Sequence, residues 1–338
     1  MERKLATIKV IDNLQPIEGA DKIELATVGG WKVVVGKDVG HKVGDMVVYC
    51  EVDSFLPIKE EFEFLRKSSY KKMGDLEGFR LKTIKLRGQL SQGLILPLKE
   101  TFGDFSWTAY EGLEVTERLG IIKYEPPIPA ELAGTVKGAF PSFIRKTDEE
   151  RIQNLSSEYD KLKELDYYVT EKLDGTSATY YYNNGEFGVC GRNWEYLEDE
   201  TNTYWKVARK LDLENKFKSL GYNVCFQGEL VGEGIQGNPY KLKGQKVFFY
   251  NVFNIDTQEY LNLKDFVLTM VSFHSMLEFV PVLSQNFKLP DTIDDLLSFA
   301  DGKSVLYKDT DREGLVIRTL DRKKSFKVIS NQFLLNEK

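Results

Sequence analysis

Over the first hundred residues, apolar positions come in short β-rich runs, each closed by glycine or charge: KLATIKVIDNL, DKIELATVGGWKVVVGK, GDMVVYCEV, RLKTIKLRG and GLILPL. Runs of this length between turn residues predict strands, and their number and spacing predict a small barrel. From Tyr167 onward β runs (YYVTEKL, SATYYYNN, EFGVCGR, NVCFQGELV, KVFFYNVFNI, EGLVIRT, SFKVIS) alternate with helical stretches at Glu200 to Leu211, Leu263 to Glu278 and Thr292 to Ala300. Many strands follow one another with no helix between them. That predicts an α+β domain of mainly antiparallel sheets and matches a Rossmann sheet poorly.

The organisation expected is therefore two domains and a connector. Residues 1–100, with five strands, fit an OB-type fold. Residues 101–145 carry the proline cluster Pro126, Pro127 and Pro129, then Pro141, and proline fixes such a stretch as extended chain. Residues 146–338 form the second domain. It opens with TDEERIQNL, where Thr147 and Glu150 have the spacing of a capping box and predict a short helix.

Composition narrows the chemistry. A chain of 338 residues with 42% hydrophobic and 29% charged residues reads as soluble and globular. No run approaches the roughly 18 to 20 apolar residues of a membrane span, and MERKLATIKV lacks the apolar stretch of a secretory signal, so cytosol or nucleus is expected and no membrane partner. Cys50, Cys190 and Cys225 form neither an even set nor a C-x-x-C pair, which argues against disulfides and structural zinc. The only histidines, His41 and His274, sit in no triad or ligand spacing. Chemistry must rest on lysine, carboxylates and a metal. With a net charge of -6, any nucleic-acid binding needs a local basic stripe.

Lys172 is the candidate nucleophile. Lysine at its ordinary pKa is a weak one and must be neutralised or desolvated and aligned. In YVTEKLDGTS, an alternating strand leads into Lys172, Asp174 projects to the same face, and Gly175 permits a sharp turn. Alone, K-x-D-G is a weak signal. It is followed in order by Arg192 and Asn193 (CGRN), Glu229 (FQGELVGEG), the aromatic strand VFFYNVFNI, Glu313 (REGLVIR) and Lys327 (SFKVIS).

This ordered set resembles the covalent nucleotidyltransferases, the superfamily of polynucleotide ligases and mRNA capping enzymes. VTEKLDGTS, with Glu immediately before the lysine, and TDEERIQN upstream are similar to the RNA ligases within it. A barrel placed before a domain that ends just after SFKVIS looks like the Naegleria-type RNA ligases, with no room expected for a C-terminal OB domain. One departure concerns the last box, usually Lys-x-Lys: Ser325 holds its first position here, with Lys324 one residue earlier.

The resemblance implies an ATP-dependent RNA ligase. Lys172 would take AMP from ATP, pass it to an RNA 5′-phosphate, and a 3′-OH would then displace it. Glu171 would face the adenine and Phe253 would stack on it. Asp174 and Arg192 would hold the ribose and phosphate side, with Gly175 in the same ATP-binding turn, and Lys327 would neutralise the α-phosphate. Glu229 and Glu313, with Asp174 as a further candidate, would organise Mg or Mn through its waters, and Arg151 would grip the departing phosphates. Arg151 and Asn154 could equally be the surface of a capped helix. The expected partner is RNA with 3′-OH and 5′-phosphate ends, as a nicked duplex, bound by a monomer. Arg80, Lys82, Lys85 and Arg87 form a basic stripe on the barrel that could follow an RNA backbone. Two alternatives stand beside this: a DNA ligase or GTP-using capping enzyme, and an RNA-end-binding protein with a retired catalytic domain.

Overall fold

The computed structural model describes residues 4–103, 108–124, 134–273 and 277–336. His274 and the prolines at 126, 127 and 129 lie outside them. The chain divides into two compact units: the described residues up to 124 with Gln153–Tyr159, and residues 134–152 with Asp160–Asn336. No helix among the described residues is long and apolar enough to cross a membrane.

The first unit is built on a three-stranded antiparallel sheet, Ala6–Val10, Met46–Cys50 and Leu94–Pro97 in that order. Both faces of this sheet are covered, which is why Val47 to Cys50 are apolar without a break. Val48 and Cys50 join Ala6, Ile8, Leu56, Phe62 and Phe79 in one core. Val47 and Tyr49 join Ile11, Trp31, Val33 and Ile95 in another. Residues 113–123, part of the stretch read as a connector, bond into this unit: Leu113 accepts from the Ile8 amide, and Ile122–Lys123 pairs with Ser54 and Phe55.

The second unit has two sheets. Tyr167–Lys172 lies within a four-stranded antiparallel sheet in the order Val282–Phe287, Tyr167–Lys172, Gly314–Thr319, Ser325–Ile329. The chain then turns at Asp174 and Gly175 into Thr176–Asn183, a central strand of an eight-stranded sheet. Val224–Gly232 and Gln245–Asn254 follow beside it, antiparallel. The nucleophile candidate thus stands where the chain crosses from one sheet to the other. Only glycine fits the corner: a side-chain carbon at Gly175 would lie 2.5 Å from the Leu230 carbonyl oxygen and 2.6 Å from Val231 Cγ1. Gly175→Ala is expected to lower stability by about 1–3 kcal/mol, the usual cost of overpacking. An unchanged urea midpoint would show that the corner yields instead.

Tyr180, Phe217, Phe226 and Phe249 fill the space between the large sheet and its helices, with Phe217 and Phe226 stacked at 4.3 Å. Each such ring contributes about 1.5–3 kcal/mol by burial. Side-chain caps set the helix starts. Asn202 accepts from the Tyr204 and Trp205 amides, so the helix expected from Glu200 begins at Thr203. Asn262 and Thr292 cap Leu263–Ser272 and Ile293–Ala300. Glu278, expected at a helix end, pairs as a strand residue instead.

The capping box is not formed. Residues 147–150 are not helical, and the Thr147 hydroxyl pairs with the Tyr250 hydroxyl at 3.0 Å. A sheet edge competes for this segment and wins: the Lys327 amide donates to the Glu150 carbonyl at 2.7 Å, and Arg151 bridges to Lys327. Helix begins only at Ile152, as a 3-10 turn to Glu158. Asn154 is bound within the first unit, accepting from Trp31 Nε1 at 3.0 Å and donating to Glu51 at 2.9 Å.

Candidate active site

Lys172 ends its strand with Nζ 2.6 Å from both carboxylate oxygens of Glu313. The sheet makes this pairing, since Lys172 is in register with Gly314, the residue after Glu313. Burial works against the ammonium, but Glu313, Glu229 and Asp174 outweigh it and hold Lys172 above its ordinary pKa. Burial raises the Glu229 carboxyl to about 8; Lys172 pulls it down, and Glu313 and Asp174 push it up. Glu313, Glu229 and Asp174 therefore come together around Lys172. Leu173 between them is buried, while Asp174 stays partly exposed and its amide donates to Tyr240 Oη at 2.6 Å.

Lys327 joins them through register. Lys327, Val316 and Thr170 are opposite one another across three strands, and Thr170 is two residues from Lys172. Period-two alternation then puts Lys172 and Lys327 on one face. Asp148 lies 3.4 Å from Lys327 Nζ and 3.7 Å from Arg192, so Arg192 is drawn toward the same place. Arg151 enters by its backbone bridge to Lys327.

Glu171 points to the other face and is 1% exposed. Its Oε2 accepts from the Val305 amide at 2.8 Å, while Oε1 is buried with no hydrogen-bond partner among the described residues. Burial raises its pKa against the Ser304 and Val305 bonds and the charge of Arg312.

Phe253 is a correction. It is fully buried among Ile144, Tyr181, Cys190, Cys225 and Ile255, with Tyr260 at 5.0 Å, so no base can reach its ring. Phe248, on the same strand, lies directly opposite Glu229, which is itself opposite Ser177. Phe248 packs with Leu173, Val231 and Tyr240, and Tyr250 lies against that cluster. A register shift between Gln227 and Gly228 separates the two ends of this strand, a feature that composition does not reveal.

The sequence reading also passed over Arg318, although a charge inside the apolar run GLVIRT was a usable signal. It is 2% exposed, donates to the Thr170 hydroxyl at 3.0 Å and lies 3.3 Å from Glu149, which also accepts from the Ser325 hydroxyl. Ser325, at the departing position of the last box, is thus engaged with Glu149.

The basic stripe of the first unit is divided. Arg80 ends Leu76–Arg80, lies 3.0 Å from Asp53 and sits 4.4 Å from the centre of the Tyr124 ring. Lys82, Lys85 and Arg87 are exposed on or beside a hairpin of Thr83–Leu86 with Gln89–Gln92.

Among the described residues no three His, Cys, Asp or Glu side chains are arranged to grip a metal directly. Three carboxylates converging on Lys172 nevertheless suit a cation that keeps its water shell.

Two family models match the chain, an OB-fold domain over residues 5–98 and RNA ligase over residues 165–329. A comparison with curated proteins gives no match. Solved structures of Naegleria gruberi RNA ligase are similar throughout. A mutant with ATP and Mn is 41% identical, covers 99% of each chain and superposes with a TM-score of 0.87. The enzyme with PPi is 42% identical, covers 98% of each chain and gives 0.85. A mutant with AMP and Mn gives 0.87 at 41% identity over 99% of each chain. With an OB-fold domain followed by a ligase domain, and this identity across both, the chain belongs to the RNA ligase family and is an RNA ligase.

Proposed function

We propose that this RNA ligase uses ATP and a divalent cation to seal 3′-OH and 5′-phosphate RNA ends through a lysyl-AMP intermediate on Lys172. The observation that carries the reading is Lys172 held at 2.6 Å by Glu313, with Glu229 and Asp174 acting on the same ammonium. Lys172 Nζ attacks the α-phosphorus of ATP, an N–P bond forms, and the bond to pyrophosphate breaks. An RNA 5′-phosphate oxygen then displaces the lysine to give a 5′-5′ pyrophosphate. A 3′-OH attacks that end and AMP leaves.

The chain's own residues supply the positioning. The orphaned Oε1 of Glu171 offers an acceptor to the adenine amine. Lys327 and Arg192 meet the α-phosphate as its charge grows. Glu229, Glu313 and Asp174 would hold Mg or Mn through its waters; the metal supplies positive charge that disfavours the ammonium of Lys172 and polarises the phosphate. The mutants of the Naegleria enzyme solved with ATP or AMP and Mn support this assignment.

Labelled ATP should leave a protein-AMP adduct on a denaturing gel and labelled GTP should not. Label from GTP alone would overturn the nucleotide assignment. Matched nicked RNA, nicked DNA and single strands then test the acceptor, for which we propose nicked duplex RNA bound by a monomer.

The first unit would hold the RNA. Its exposed Lys82, Lys85 and Arg87 lie on and beside one hairpin, whereas Arg80 is engaged with Asp53. Reversing Lys82 and Lys85 to Glu is expected to weaken end joining by about tenfold or more at moderate salt, with adenylylation little changed. Equal loss of both steps would remove the hairpin from RNA binding.

A further inference from the structure

The two cations assigned to the α-phosphate already share an anion. Asp148 places Oδ1 3.4 Å from Lys327 Nζ and Oδ2 3.7 Å from an Arg192 nitrogen. Its two oxygens thus join side chains from different parts of the second unit, since Lys327 belongs to the four-stranded sheet and Arg192 follows a strand of the large one. Two oxygens of one anion between a lysine and an arginine is also how a phosphate group would be held there.

The backbone carrying Asp148 is fastened on both sides. Thr147 is bonded to Tyr250, the next residue, Glu149, is held by Ser325 and buried Arg318, and the Glu150 carbonyl accepts from the Lys327 amide. The carboxylate is therefore presented to the two cations by a fixed segment, and the fastening residues come from both sheets.

We infer that Asp148 is a resident counter-anion that the phosphates of ATP must displace, so that it sets nucleotide affinity rather than the rate of the chemical step. This rests on the proposal that Lys327 and Arg192 receive the α-phosphate. The side chains of Asp148, Lys327 and Arg192 are 28%, 16% and 64% exposed, so the contacts are weak enough to be exchanged. Displacement leaves the Asp148 carboxylate close to an arriving polyanion, which is a second reason for it to weaken binding. An uncharged side chain at 148 removes both effects.

The test uses the full chain and measures lysyl-AMP formation against ATP concentration at saturating Mn. Asp148→Asn is expected to lower the KM for ATP about three- to fivefold, with the maximal rate held within about twofold. Asp148→Ser should do the same, and equilibrium ATP binding in a Lys172→Met background should tighten by the same factor. Asp160→Asn, whose side chain is 96% exposed on the same unit, controls for net charge and should change nothing. A KM that is unchanged or raised overturns the inference. So does a fall in maximal rate that extra Mn restores, which would make Asp148 a metal ligand. Failure of the unaltered protein to form any adduct would instead overturn the proposed function, and this inference with it.

Discussion

Lys172→Met is expected to abolish the protein-AMP adduct, a loss of roughly 10⁴-fold or more, as for removal of other essential nucleophiles. Methionine keeps the unbranched stem but has no amine to attack phosphorus. No neighbour can substitute for it: Lys327 is on the same face but lies with Asp148. The variant should still bind ATP, because Glu171 is set by the Val305 amide, a contact that does not involve the Lys172 amine. It should also join ready-made RNA-adenylate ends far better than 5′-phosphate ends, since the last step breaks no bond to lysine. Adduct formation by this variant would remove Lys172 from the proposal.

The sequence made the chemistry more legible than the surroundings that position it. Lys172, Glu229, Glu313 and Lys327 stood in ordered boxes, and each box sits on or beside a strand whose pairing brings it to the others. What stayed hidden depended on partners far along the chain. Thr147 and Glu150 satisfy the local pattern of a capping box, but the edge strand Ser325–Ile329, more than 170 residues later, takes that backbone instead. Phe253 and Phe248 look alike within VFFYNVFNI. They differ because Tyr260 and Ile144 pack over one end of the strand, while Glu229 lies opposite the other. Arg80 sits in the same charged run as Lys82 and Lys85, yet Asp53 and Tyr124 draw it into a different sheet.

Glu313→Gln separates the contact that the structure shows for this carboxylate from the metal-holding role proposed for it. The glutamate holds the ammonium of Lys172 at 2.6 Å and is one of the charges that raise its pKa. Taken alone, that role is inhibitory: removing the charge lets the amine lose its proton at lower pH, and adenylylation should become faster below the pKa of Lys172. The second role is to help hold a hydrated divalent cation beside the α-phosphate, and its loss slows the reaction. The second effect should be the larger. Once a metal is bound, its charge offsets that of Glu313 at the lysine, so little is gained from the substitution, whereas loss of electrostatic stabilisation typically costs about 10²–10³-fold. Single-turnover adenylylation of Glu313→Gln is therefore expected to fall by about 10²–10³-fold, with partial recovery as Mn is raised. Because Lys172 no longer has its nearest carboxylate, the pH at which the residual rate is half-maximal should move down. A variant faster than the unaltered protein at neutral pH would mean that Glu313 only restrains the nucleophile, and that the cation is held by Glu229 and Asp174 without it.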